Sequence, residues 1–152
     1  MATATFCSPI EILMVEDNPA DVRWARETLK EGRIQNSTSV VTDGEAAIAY
    51  LRHEGKFKGS QRPDLILLDL NLPKKSGSEV LAELKTDSDL RNIPIIVLTT
   101  SPVERQSLVR TYNLPANSYL LKPLNWTRFL DAVRCYTDLK LVIVRDGVAV
   151  DK

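Results

Sequence analysis

A chain of 152 residues is one ordinary domain, long enough to bury a core without disulfide or metal staples. Lys and Arg total 20 and Asp and Glu total 20, so no net field draws the chain to nucleic acid or an anionic membrane, and function must come from a local cluster. Two distant cysteines, Cys7 and Cys135, and one histidine, His53, leave little for a zinc site, no apolar run is long enough for a membrane span, and the Ala/Thr/Ser-rich start has no signal-peptide pattern, so a cytoplasmic location is expected.

Residues 1–9 read as a tail. Ile10 to Val15 is then a short apolar run, broken only by Glu11, that ends in Glu16-Asp17. Asn18-Pro19 suits a helix N-cap with proline at the first helical position, and Val22, Ala25 and Leu29 recur at helical spacing up to Gly32. Val40-Val41-Thr42 is a weaker second strand closed by Asp43-Gly44, and a helix carrying Ala46 to Leu51 follows. Residues 54–63, with glycines, basic residues and a proline, form an exposed loop.

Leu65 to Asp69 is an unbroken apolar run into a carboxylate, the pattern of a strand buried on both faces. Pro73 stops its continuation, and Val80, Leu81 and Leu84 mark the third helix. Ile95 to Leu98 is another continuous run, ending in Thr99-Thr100. Ser101-Pro102-Val103-Glu104 reads as a capping box opening the fourth helix. Ser118 to Leu121 is the fifth strand, ending in Lys122-Pro123, and Trp126, Phe129, Leu130 and Val133 trace the stripe of a fifth helix, where the two aromatics belong to the core or a dimer contact. Strands and helices thus alternate five times over residues 10–138. That is the signature of an α/β, doubly wound parallel sheet with helices on both faces and right-handed crossovers. In the remaining residues 139–152, two apolar runs flank Arg145-Asp146-Gly147, which suits a small terminal strand or hairpin covering a surface or a partner, with a mobile tail as the alternative.

In an open parallel sheet, chemistry collects at the carboxyl ends of the strands. Those ends carry Glu16 and Asp17, Asp69, Thr99 and Lys122. Each alone reads as a turn acid, a strand-end hydroxyl or a solvated charge; together they are complementary. Three clustered carboxylates repel one another and need a cation, and an all-oxygen donor set without imidazole or thiolate suits Mg²⁺. Three carboxylates, one Mg²⁺ and Lys122 sum to zero charge. Converting one carboxylate to an acyl phosphate adds about one negative charge, so the site is balanced before modification and strained after it.

These residues resemble the receiver domains of two-component response regulators. The resemblance spans residues 10 to about 137 and rests on Glu16-Asp17, Asp69-Leu70-Asn71-Leu72-Pro73 with Gly77, Thr99, and Lys122-Pro123. Gln61-Arg62-Pro63, the run from Leu67 to Lys75 and Val97-Leu98-Thr99-Thr100-Ser101 are similar to the stand-alone regulators paired with cyanobacterial phytochromes. The resemblance implies a flavodoxin-like sheet of strand order 2-1-3-4-5, with Asp69 as the acceptor of a phosphoryl group from a histidine kinase of phytochrome type. It further implies Mg²⁺ held by Asp17, Glu16, Asp69 and the backbone carbonyl of Asn71, with Lys122 and Thr99 on the phosphoryl oxygens. Tyr119 matches the switch aromatic, its ring turning inward as Thr99 shifts. Thr100 departs from the family, which usually has a small residue there, and implies a slowed or selective site. The Asp-x-Asn spacing argues against the phosphatases that use an aspartyl nucleophile, because Asn71 cannot serve as their general acid.

No DNA-binding or catalytic module follows the fifth helix, so output is expected through protein contact. A homodimer through the fourth helix, fifth strand, fifth helix and terminal extension is the expected form. A receiver-shaped interaction module that takes no phosphate is the alternative.

Overall fold

The computed structural model describes residues 9–112 and 118–134, and the backbone of two further strands, 142–145 and 148–151. Five parallel strands, β1 (Ile10–Val15), β2 (Asn36–Val41), β3 (Leu65–Asp69), β4 (Ile95–Thr99) and β5 (Tyr119–Leu121), form one sheet in the order β2-β1-β3-β4-β5. They alternate with α1 (Pro19–Glu31), α2 (Gly44–Leu51), α3 (Gly77–Thr86), α4 (Pro102–Tyr112) and α5 (Trp126–Arg134). This is the doubly wound, flavodoxin-like order expected from the sequence.

The continuous apolar runs explain the layering. Every residue of β3 and β4 is buried, because helices cover both sheet faces. Alternation sends Leu65 and Leu67 to one face, with Ala25 and Leu29 of α1 and Phe129 and Val133 of α5. Ile66 and Leu68 go to the other, with Ala47 and Leu51 of α2 and Val80 and Leu84 of α3. Trp126 and Phe129 accordingly pack as core, their ring centroids 5.9 Å apart.

Strand β2 begins at Asn36, four residues before the apolar Val40-Val41 that marks it in the sequence. It pairs only with β1, so its polar Asn36-Ser37-Thr38-Ser39 segment supplies ladder hydrogen bonds from the sheet edge without burying both faces. The end of α1 also differs in mechanism. The left-handed residue after it is Arg33 (φ 57°), while the Trp126 ring occupies the space where a Gly32 side chain would lie.

The segments Val142–Arg145 (β6) and Val148–Asp151 (β7) pair antiparallel as a separate two-stranded sheet. Cys7, Cys135 and the other residues of the tail and the connection to β6 lie outside the described residues.

Candidate functional site at the carboxyl edge of the sheet

Strand register brings the chemistry together. Val15 is level with Leu68, Asp69 with Leu98, and Thr99 with Leu121. The next residues along, Glu16 after β1 and Lys122 after β5, therefore leave the sheet beside Asp69 and Thr99. The order changes direction between β1 and β3, and the crevice of such a sheet opens there. A cleft of about 540 Å³ occupies that place, lined by Glu16, Asp17, Asp69, Asn71, Thr99 and Lys122, with Thr100 exposed at its wall.

Local folding fixes each group. Asn18 caps α1, its Oδ1 accepting from Ala20 N at 2.8 Å, so Glu16 and Asp17 are held in the short turn before the helix. The loop after β3 is folded back by Gly77 N donating to Leu70 O at 3.0 Å. Only glycine fits there, since a Cβ at Gly77 would collide with the Asp69 carbonyl oxygen and the Leu70 Cα. Asn71 N donates to Asp69 Oδ1 at 3.3 Å and steadies the carboxylate from the loop side. Lys122 N donates to Thr99 O at 2.8 Å, aligning the ends of β4 and β5.

Lys122 Nζ is the electrostatic centre. It lies 2.9 Å from Glu16 Oε1, 2.9 Å from Asp21 Oδ2 and 3.3 Å from Asp69 Oδ1. Burial alone would lower its pKa, but the hydrogen bonds to Asp21 and Glu16 and the charge of Asp69 raise it above the ordinary lysine range. It is a fixed cation. Glu16 is nearly solvent-free, and burial pushes its carboxyl up to about 7, with Asp69 adding to the rise and Lys122 opposing it.

Glu16, Asp17 and Asp69 each present an oxygen within 4.8 Å of the other two. One further cation among these hard donors relieves their repulsion, so the set fits a divalent ion.

Every residue singled out at the strand ends lines this cleft; Tyr119 does not. Its ring is fully buried in the core, with Arg105 Nε donating to its carbonyl at 2.5 Å. The ring therefore lies inward in this structure. Two acidic residues were missed as site members. Asp21 lies in the first turn of α1, where an acidic residue is expected for dipole reasons alone, yet it bonds Lys122. Glu104 was read only as half of a capping box, yet its Oε1 accepts from Thr99 Oγ1 at 2.8 Å. His53 bonds the Ser60 hydroxyl at 2.9 Å far from the cleft, and Lys75 pairs with Glu83 at 2.6 Å.

A parallel 2-1-3-4-5 sheet with three carboxylates, a hydroxyl and a buried lysine at its switch point defines a receiver-type signalling domain. Residues 12–134 match the family model of the response regulator receiver domain, and the chain belongs to that family. Among its relatives, it is 50% identical to the response regulator Rcp1 of Synechocystis over 117 residues, which is 77% of this chain and 79% of Rcp1. It is similar to the solved bacteriophytochrome response regulator AtBRR, with a TM-score of 0.77 and 37% identity over 86% of this chain and 94% of that one. The phosphorylated cyanobacterial phytochrome response regulator RcpA aligns at TM-score 0.68 and 45% identity, covering 82% and 88%. The Mn²⁺-bound form of Rcp1 aligns at 0.69 and 47%, covering 82% and 89%. The set includes cyanobacterial phytochrome regulators, as the sequence resemblance implied, and also a bacteriophytochrome regulator. Among the described residues, no helix is long and apolar enough to cross a membrane.

Proposed function

We propose that this protein is a phosphoacceptor response regulator that takes a phosphoryl group from a histidine kinase, of phytochrome type, onto Asp69. The observation that carries the reading is Lys122 Nζ, a fixed cation 3.3 Å from a buried Asp69 carboxylate in an open acidic cleft. A carboxylate held beside a fixed counter-charge at the mouth of an open cleft is placed to act as a nucleophile, with the cation waiting for the charge that the transfer brings. Phosphorylation of the relative RcpA supports it.

In the transfer, a carboxylate oxygen of Asp69 attacks phosphorus, the P–N bond to the kinase imidazole breaks, and a P–O bond forms. Lys122 stays beside the growing negative charge. The Thr99 hydroxyl supplies a hydrogen bond to one phosphoryl oxygen. The protein's contribution is positioning and charge neutralisation, with no acid–base step of its own. It acts on no other substrate and so is not an enzyme in the ordinary sense. Glu16, Asp17 and Asp69, with the Asn71 backbone carbonyl, would hold Mg²⁺, the Mn²⁺ in Rcp1 supporting a divalent ion. When bound, the ion neutralises the phosphoryl oxygens and orients them.

The signal leaves by protein contact in the cytoplasm. We assign the output face to α4, β5 and α5, with β6 and β7 adding to a homodimer. An isolated two-stranded hairpin is marginal in water, so strands as apolar as Val142-Ile143-Val144 and Val148-Ala149-Val150 gain from a partner surface. Phosphotransfer from an autophosphorylated phytochrome kinase to this chain, followed by radiolabel, tests the kinase assignment. Label appearing on wild type and absent on Asp69→Asn supports it; transfer only from kinases of other sensor classes overturns it. Sedimentation of the chain with and without residues 139–152 tests the dimer, which a monomer in both cases overturns.

A further inference from the structure

The first turn of α4 does not close the capping box its sequence prescribes. At α3 the box is complete: Glu79 N donates to Ser76 Oγ at 3.2 Å and Ser76 N donates to Glu79 Oε1 at 3.1 Å. At α4 only half survives, Glu104 N donating to Ser101 Oγ at 3.2 Å. Ser101 N donates instead to Thr99 Oγ1 at 3.1 Å, and Thr99 Oγ1 donates to Glu104 Oε1 at 2.8 Å. The same Ser-x-x-Glu pattern has been opened, and the Thr99 hydroxyl inserted.

A threonine hydroxyl has a single proton to donate. While it points at Glu104 it cannot also point at a phosphoryl oxygen on Asp69. We propose that Glu104 is a positioning residue that holds the Thr99 hydroxyl at rest, so that the phosphoryl group must win it in competition. The inference rests on the phosphoacceptor reading and extends it, because it places the threshold of the switch in a residue of α4, outside the strand-end cluster. Glu104 also lines the cleft and adds a negative charge near the incoming group. Two effects are then possible for its removal, freeing the hydroxyl and lowering charge repulsion, and only the first depends on Thr99.

The test is the affinity of the full chain for beryllofluoride, a phosphoryl mimic assembled from beryllium chloride and sodium fluoride with Mg²⁺, measured by calorimetry. Failure of the wild type to bind overturns the phosphoacceptor reading itself. With wild-type binding in hand, Glu104→Ala is expected to bind about fivefold tighter, a partly exposed charged hydrogen bond having been removed from the resting state. Glu104→Gln keeps a weaker acceptor and falls between the two. In a Thr99→Ala background, Glu104→Ala is expected to change affinity less than about twofold. Equal tightening with and without the Thr99 hydroxyl means charge repulsion alone and overturns the latch. No tightening by either Glu104 variant overturns it as well.

Discussion

Replacing Lys122 by methionine separates its electrostatic role from its bulk. The side chain is 14% exposed and touches three carboxylates, of which Asp21 is 40% exposed while Glu16 and Asp69 are each at 4%. The Asp21 contact is screened by solvent and is worth at most about 1 kcal/mol. The other two are buried, and stripping a buried carboxylate of the one cation it pairs with among the described residues costs about 3–5 kcal/mol unless the group protonates. Glu16 has that escape. Its carboxyl already stands at about 7, and losing the lysine hydrogen bond raises it further. Below that value the folded variant carries a proton the unfolded chain lacks, since an unfolded glutamate titrates near 4.3. The folded state then binds more protons than the unfolded one, so the variant loses stability as pH rises, by up to about 1.4 kcal/mol per pH unit for one proton. With Asp69 left unpaired, urea unfolding of both proteins in chelator-containing buffer is expected to give a loss of about 3–5 kcal/mol at pH 7, larger by about 1 kcal/mol at pH 8. A loss below about 0.5 kcal/mol that does not grow with pH refutes the view of Lys122 as the cation that makes the acid cluster tolerable.

Three further outcomes follow from the same geometry. Divalent-ion binding must displace the Glu16 proton, so Mg²⁺ affinity is expected to rise about tenfold from pH 6 to pH 8, and Glu16→Gln to flatten that dependence in a calorimetric titration. Gly77→Ala forces a methyl into the Asp69 carbonyl and Leu70 Cα, with an expected stability loss of about 2–3 kcal/mol and weaker Mg²⁺ binding; thermal unfolding that leaves it unchanged would contradict the packing described. Thr100 is exposed at the cleft wall, and Thr100→Ala is expected to shorten the phosphoaspartate lifetime by opening a path for water; an identical decay rate removes that role for its β-branched side chain.

The sheet was legible because its central strands are apolar on both faces. Leu65-Ile66-Leu67-Leu68 and Ile95-Ile96-Val97-Leu98 leave no other place to sit than between two helical layers. The strand ends were legible for the same reason, since a carboxylate, hydroxyl or lysine closing such a run must emerge at the crevice. Strand β2 was half hidden because an edge strand can be polar along most of its length. Asp21 and Glu104 were hidden because each belongs to a helix start, where an acidic residue is expected for capping or dipole reasons alone. Only three-dimensional placement shows Asp21 bonded to Lys122 and Glu104 diverted to Thr99. Tyr119 was placed correctly on β5, but its buried ring could not be read from a three-residue strand.

The most direct measurement is intact mass after incubation with acetyl phosphate and Mg²⁺. Asp69 as phosphoacceptor requires wild type to gain the mass of one phosphoryl group, Asp69→Asn to gain none, and the gain to disappear when Mg²⁺ is chelated. No gain in wild type, or a gain that survives in Asp69→Asn, contradicts the assignment and leaves the chain a receiver-shaped contact module.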